Sequence, residues 1–440
     1  MKSKWMLGTS LLLTTSVVLA ACGGNNANDS ASPGASASSE GSPAAVDSGS
    51  GEKVKLTMYS WRPEDADGYA AIIAEFNKTN PNIEVEFKPF KSTEYNTILN
   101  NTLQSGTGVD ILQLRPYDAA IALADADYLT PVDGLAGLDQ IPDSYLDAAR
   151  GSDGNVYGVP FMLSNAVIFY NKNLFEENGI AVPETYEEFL AVCEQLKAKG
   201  ITPIAQSGKA GYLLSMTHAV VGNSAYGGNE FAEEVISGKT DFTDSRFVDS
   251  IQRMKDLEEY FPKDFIAIED KDAQAMFYTH EAAMYINGSH RLETFEANEI
   301  DFDVDFIPGF APSKGEPANI VAWVDGSYAV AKSSKHQEEA LKFLEFVASK
   351  SFGQTFSEQL TRVSPIAGVE PSNALLQSMA KLNETQATPY LILASFNQGA
   401  PTSKTTFEDS LQGMYLGKLT PQQVAEDFQA SVAKWFKPQS

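Results

Sequence analysis

Val54–Tyr59 (VKLTMY), Asp67–Thr79 (DGYAAIIAEFNKT) and Ile83–Phe87 (IEVEF) follow one another with almost no intervening chain, and their order decides the fold. The first segment alternates apolar and polar side chains, as a half-buried strand does. The second puts Tyr69, Ile72, Ile73 and Phe76 on one helical face, and Asn80-Pro81 stops it. The third alternates again. A further strand is expected at Asp110–Leu114, after a Gly-rich loop. Strand–helix–strand order at this spacing predicts a parallel, doubly wound α/β sheet.

Downstream the alternation continues. Asn165–Tyr170 reads as a strand leading into a helix at Lys172–Glu177. Thr185 and Glu188 form a capping-box pattern before a helix that buries Phe189, Val192, Cys193 and Leu196. Thr202–Ala205, Ala282–Ile286, Phe302–Phe306 and Ser327–Ala331 read as short strands, and His336–Lys350 as a helix. Thr420 and Gln423, with Pro421 between them, open a last helix carrying Val424, Phe428, Val432 and Trp435 on one face. Residues 53–440 are too many for one ordinary core, so two lobes are expected.

The N-terminus differs in kind. Lys2 and Lys4 precede an apolar run from Trp5 to Leu19, and Leu19-Ala20-Ala21-Cys22 follows. A charged head, a short apolar core and small residues describe a secretory signal, here residues 1–21. The ending resembles the lipobox of bacterial lipoproteins, which implies cleavage before Cys22 and attachment of lipid there. Residues 23–52 are Gly, Ser, Ala, Asn, Pro and acids, with Val46 the only large aliphatic residue. Such a composition is expected to stay disordered, as a tether reaching about 30 Å on average.

Charge excludes some partners. The chain has 32 basic and 58 acidic residues. Without Lys2 and Lys4 the balance is 30 against 58, or −28, which argues against nucleic acid and anionic lipid surfaces. With Cys22 lipidated, Cys193 stands alone and no disulfide is expected. Sequence patterns for a nucleophile elbow, a zincin helix, a dinucleotide loop or a phosphate loop are absent from the sequence. The four histidines have no metal-ligand spacing, and Glu64, Asp65 and Asp67 lack the pattern of a calcium loop. No cofactor, no metal and no catalysis are expected. A glycosidase needs only two placed carboxylates, so a secreted lipoprotein glycoside hydrolase is the alternative, and a polyamine binder a further one.

Several segments together resemble family 1 extracellular solute-binding proteins. Ile168-Phe169-Tyr170-Asn171-Lys172 with Leu174-Phe175, then Gly179-Ile180 and Pro183–Phe189 (PETYEEF), match one part of the family pattern. Glu281-Ala282-Ala283-Met284 running to Gly288-Ser289 matches a second. Trp323–Lys332 (WVDGSYAVAK), followed by Glu339-Ala340 to Phe346, matches a third. The chain departs from the pattern at His280-Glu281, at His290-Arg291 and at Trp323-Val324-Asp325. The resemblance implies a two-lobed, periplasmic-binding-protein-like α/β fold with discontinuous lobes, a hinge and a central ligand cleft. It places lobe 1 at 53–166 plus 327–388 and lobe 2 at 167–326 plus 389–440, with crossings near 166–170, 325–328 and 388–396. It further implies a monomer that binds a carbohydrate and delivers it to ABC permease subunits.

Sugars pack their C–H faces on aromatic rings and engage planar polar side chains with their hydroxyls. In open α/β sheets ligands lie at the carboxyl ends of strands. The residues so placed are Trp61, Arg62 and Glu64 after the first strand, and Arg115, Tyr117 and Asp118 after the third. Asn165 precedes a crossing, Ser289, His290 and Arg291 follow the Met-containing strand, and Trp323 and Asp325 precede the return strand. Gln206, Tyr212 and Phe396 are weaker candidates. Trp61 and Trp323 are expected to stack on sugar, and Trp435 to pack in the core.

Overall fold

The computed structural model describes residues 53–298 and 300–438. The signal, Cys22 and the tether lie outside the described residues. Residues Gly51–Ser440 cluster into one compact unit. Among the described residues nine strands form one mixed sheet: β1 (Val54–Ser60), β2 (Ile83–Pro89), β3 (Ile111–Leu114), β4 (Val159–Asn171), β5 (Thr202–Ala205), β6 (Ala282–Gly288), β7 (Val304–Ile307), β8 (Ile320–Val330) and β9 (Ala387–Pro389).

The main order across the sheet is β2-β1-β3-β8-β4-β6-β5. The expected parallel pairing holds between β1 and β2, β1 and β3, β5 and β6, and β8 and β9. It fails around β4 and β8, which run antiparallel to each other and to their other main neighbours. The cause is connectivity. β8 follows β7, which is itself paired with β4, and runs between β3 and β4, so one sheet is shared by both halves. Each long strand changes partner along its length. β4 pairs with β8 through Ala166 and with β6 from Ala166 to Tyr170. β8 pairs with β4 up to Tyr328, and its Ser327–Val330 end also pairs with β3.

Separate apolar cores form toward the two ends of the sheet. One gathers Leu56, Met58, Tyr69, Phe76, Phe161, Tyr328, Phe343 and Phe356. Another gathers Ile168, Phe189, Leu214, Phe231, Phe247, Phe407 and Phe428. The helix Ala66–Asn77 buries Tyr69, Ile72 and Phe76, as its spacing predicts. The helix Tyr186–Ala198 buries Cys193, whose thiol is pushed far above its ordinary pKa by burial. Thr185 accepts the Glu188 amide, but the Glu188 carboxylate accepts from the Glu184 amide at 3.0 Å rather than from Thr185. That cap is therefore half of the expected reciprocal box. At Thr420 and Gln423 both bonds form.

Candidate functional site

The carboxyl ends of β1 and β3 are pinned by Gln113. Its Oε1 accepts from Ser60 Oγ at 2.8 Å and from the Trp61 amide at 3.0 Å, and its Nε2 donates to Tyr328 on β8 at 2.8 Å. This buried amide fixes where the chain leaves β1 and hence where Trp61 and Arg62 lie. Trp61 is buried, with the Tyr95 ring packed edge-to-face against it, centroids 5.4 Å apart, and the Arg115 guanidinium 4.6 Å from its ring centroid. Gly326 on β8 makes room for it: a Cβ there would meet Phe161 at 2.7 Å and the Trp61 ring at 3.0 Å. Arg115 is held by Asn96 Oδ1 at 3.0 Å and Ser92 Oγ at 2.9 Å. Arg62 pairs with Asp325 at 2.5 Å and reaches Glu64 at 3.7 Å.

Tyr117 occupies a strained conformation, φ 60° and ψ −116°, which non-glycine residues adopt only when the surroundings impose it. Here they do. Its amide donates to the Ala148 carbonyl and its hydroxyl accepts from the Val324 amide at 3.2 Å, tying two loops to the middle of β8. Asp118 follows at the start of the helix Asp118–Asp125. Burial pushes its carboxyl up to about 6, moderated by a hydrogen bond from Gln398.

At the carboxyl end of β6, Asp270 gathers four donors. Tyr212 Oη donates at 3.0 Å, Tyr285 Oη at 2.8 Å and Asn287 Nδ2 at 3.3 Å, and Arg291 closes an ion pair with it. His290 sits among Arg62, Arg291 and Arg362. Burial first, and then these three cations, drive its pKa down to about 3, so the imidazole is neutral.

Trp323 lines a cleft of about 520 Å³, with Tyr117, Tyr145, Asp147, Asn229, Glu233 and Thr388 around it. The wall combines three aromatic rings with two carboxylates, an amide and a hydroxyl. The indole is nearly covered, with the Tyr390 ring packed against it edge-to-face, centroids 5.4 Å apart.

The structure thus brings Trp61, Arg62, Glu64, Arg115 and Asp325 together at one place and Tyr212 and Arg291 around the Asp270 hub, with His290 among the guanidinium groups of Arg62, Arg291 and Arg362. Tyr117 links the first group to the cleft of Trp323. Other candidates face inward. Asn165 exchanges amide hydrogen bonds with Asn383, at 2.8 and 3.0 Å, and its backbone accepts and donates to Ser289. Gln206 is satisfied by Thr217 Oγ1 and the Ser207 carbonyl. Phe396 packs on Phe242, Trp435 and Phe436. Tyr145, Asp147, Asn229 and Glu233 escape a reading of strand ends because they sit on short helices or beside them. Among the described residues no group of three His, Cys, Asp or Glu could hold a metal ion, and no helix is long and apolar enough to cross a membrane.

With a sheet shared between two cores and a polar, aromatic-lined cleft along the shared strands, the molecule has the architecture of a two-lobed binding protein. The family described as bacterial extracellular solute-binding protein matches residues 61–353, more than half of the chain, and the chain belongs to it. Its similarity extends to the multiple sugar-binding protein of Streptococcus mutans, 26% identical over 376 residues covering 84% of each chain. The maltooligosaccharide ABC transporter solute-binding lipoprotein of Streptococcus pneumoniae is 24% identical over 408 residues, covering 89% of this chain and 85% of that one. Among solved structures, apo RafE of Streptococcus pneumoniae superposes with a TM-score of 0.73 at 21% identity, covering 88% of this chain and 99% of that one.

Proposed function

We propose that the chain captures an extracellular carbohydrate in the cleft and delivers it to the permease of an ABC importer. The observation that carries this reading is the wall of the cleft. Tyr117, Tyr145 and Trp323 offer flat faces for sugar C–H groups, and Asp147, Asn229 and Glu233 offer acceptors and donors for hydroxyls. The names of the relatives, a multiple sugar-binding protein and a maltooligosaccharide ABC transporter solute-binding lipoprotein, support the same class of ligand.

The lobes are assigned to 53–166 plus 327–388 and to 167–326 plus 389–440. The partner changes of β4 near Ala166 and of β8 near Ser327 support these crossings. The contact set comprises Tyr117, Asp118, Trp323 and Asp325 together with Tyr145, Asp147, Asn229 and Glu233, with Arg62, Glu64, Arg115, Tyr212, His290 and Arg291 on the flanking walls. Trp61 is the bed on which Arg115 lies, while Asn165, Gln206, Ser289 and Phe396 support the walls from within. A ligand bridging both lobes favours a closed arrangement over an open one.

The chain acts without catalysis, as a monomer, anchored to the outer face of the membrane by lipid on Cys22. The name lipoprotein carried by the pneumococcal relative supports the anchor. Titration calorimetry against mono- and oligosaccharides and polyamines tests the binding reading. Saturable binding of a sugar, with no product released, is expected; binding of polyamines alone would overturn it. Changing Cys22 to Ser should release the protein from membranes or leave its precursor uncut.

A further inference from the structure

Outside the cleft, one buried charged group has no part in the reading above. Arg362 is 3% exposed and forks between two carboxylates on different elements. Its Nη1 lies 2.6 Å from Asp65 Oδ2, and Asp65 is fully buried at the start of the helix Ala66–Asn77. Its Nη2 lies 2.9 Å from Glu293 Oε2, on the helix Arg291–Ala297 that follows β6. The neighbouring contacts repeat the direction. Thr361, held at φ 49° and ψ 49°, donates from Oγ1 to Glu296 Oε2 at 2.9 Å, and Asn373 Nδ2 donates to Glu296 Oε1 at 2.9 Å. Val363 accepts the Leu163 amide of β4 at 2.9 Å.

Asp65 ends the loop that begins at Trp61, and Glu293 lies two residues beyond Arg291. A guanidinium has a fixed planar fork, so it spans two carboxylates only while their separation matches its width. We propose that Arg362 is an inter-lobe strut: a positioning residue that ties the Trp61–Asp65 loop to the helix Arg291–Ala297 and so stabilises the arrangement in which both cleft walls meet ligand. This rests on the two-lobe assignment above. Two features fit a contact that is made and broken. The Glu293 end is 39% exposed whereas the Asp65 end is closed, so the Glu293 arm is the one that water can replace. Arg362 Nε and Asp65 Oδ1 are buried without a protein partner, so the pair is not locked by a full hydrogen-bond network.

The groups facing Arg362 are Asp65, Glu293, His290 and Tyr69. Its two acids lie at its opposite ends, and neither belongs to the proposed contact set. Removing the exposed arm therefore changes the balance between open and closed arrangements without touching the cleft wall.

The test uses the full chain with Glu293→Gln, which spares the buried Asp65 pair, and Arg362→Lys, which keeps a charge but loses the fork. Ligand binding is followed by stopped flow and calorimetry with maltotriose and raffinose as probes, and shape by small-angle scattering with and without each probe. For Glu293→Gln, about five-fold weaker affinity is expected, the scale of one partly exposed ion pair. The loss should lie in faster dissociation with unchanged association, and the free protein should be more expanded at an unchanged melting temperature. Arg362→Lys should show the same split wherever it folds. Unchanged dissociation rate and unchanged dimensions in Glu293→Gln would overturn the strut. If wild-type protein binds neither sugar, the carbohydrate reading is set back on its own, and the strut is still judged by expansion of the free variant.

Discussion

Trp61 and Trp323 are almost equally buried, at 5% and 6%, yet their settings differ. Trp61 is closed by its own neighbours: a guanidinium over one face, a tyrosine edge beside it, and a β8 glycine against its rim. Trp323 packs in the core cluster that includes Tyr390, and its uncovered edge borders open volume shared with Tyr117 and Tyr145. Exposure alone does not separate a packing tryptophan from a binding one. What separates them is whether the uncovered remainder faces a cavity with polar groups at hydrogen-bonding reach.

The largest test of this contrast is stability. Trp61→Ala should cost about 3–5 kcal/mol of unfolding free energy, the range for deleting a buried aromatic side chain. It also leaves Arg115 without the ring it lies on. Urea unfolding should register this, whereas a loss of under 1 kcal/mol would place Trp61 among the binding residues. Trp323→Ala should cost stability on the same scale, since the indole belongs to a buried core cluster, and should in addition weaken sugar binding because its uncovered edge borders the cleft. Only 6% of the residue is uncovered, so direct sugar contact is a small part of that loss and collapse of the cleft wall the ring holds is the larger part; about tenfold in Kd is expected in all, about 1.4 kcal/mol. Calorimetry with the bound sugar showing a change under threefold would remove Trp323 from the site.

How much of this was legible in the sequence depends on exposure of the element concerned. Alternation marked β1 and β2 because each has a face toward solvent. Ile320–Asp325 does not announce itself as part of β8, nor Val159–Ser164 as part of β4, because both strands are buried on almost every side chain and show no period of two. In the site, residues just beyond strand ends could be named from chain order alone. Tyr145, Asp147, Asn229 and Glu233 could not, since they reach the cleft only through packing between distant segments. Nor could the pairing of Asp65 with Arg362, separated by 297 positions.

Acid should separate core from cleft. His218 lies buried among Tyr226, Phe247 and Phe407, bonded to Ser250, and burial lowers its pKa to about 3. The unfolded chain therefore takes up this proton first. Stability contributed by neutral His218 is complete above pH ~6.5 and falls as pH drops toward 3, by up to about 1.4 kcal/mol per unit. Urea midpoints at pH 7 and pH 5 should differ accordingly in wild type, and less in His218→Gln; equal differences would exclude His218 as the source.

Asp118 has the opposite sign. Its pKa is raised to about 6, so its ionised form costs stability at neutral pH, and Asp118→Asn should raise the melting temperature of the free protein slightly. If the carboxylate accepts ligand hydroxyls, affinity should also fall as pH drops through about 6, and that dependence should vanish in the Asn variant. A pH-independent Kd between 5 and 7.5 in wild type would take Asp118 out of the contact set.

The insertion of β8 between β3 and β4 also bears on how the molecule comes to be folded. Gln113 on β3 and Tyr328 on β8 are hydrogen-bonded across 215 positions of chain. Until β8 arrives, β3 presents an unpaired edge beside an unfinished core, so neither half can complete itself in the order in which it is synthesised. Closing so long a loop is slow relative to local helix formation. A polypeptide of this kind completes its central sheet only after most of it has been synthesised, so the order of synthesis and the order of folding are set apart by the topology itself.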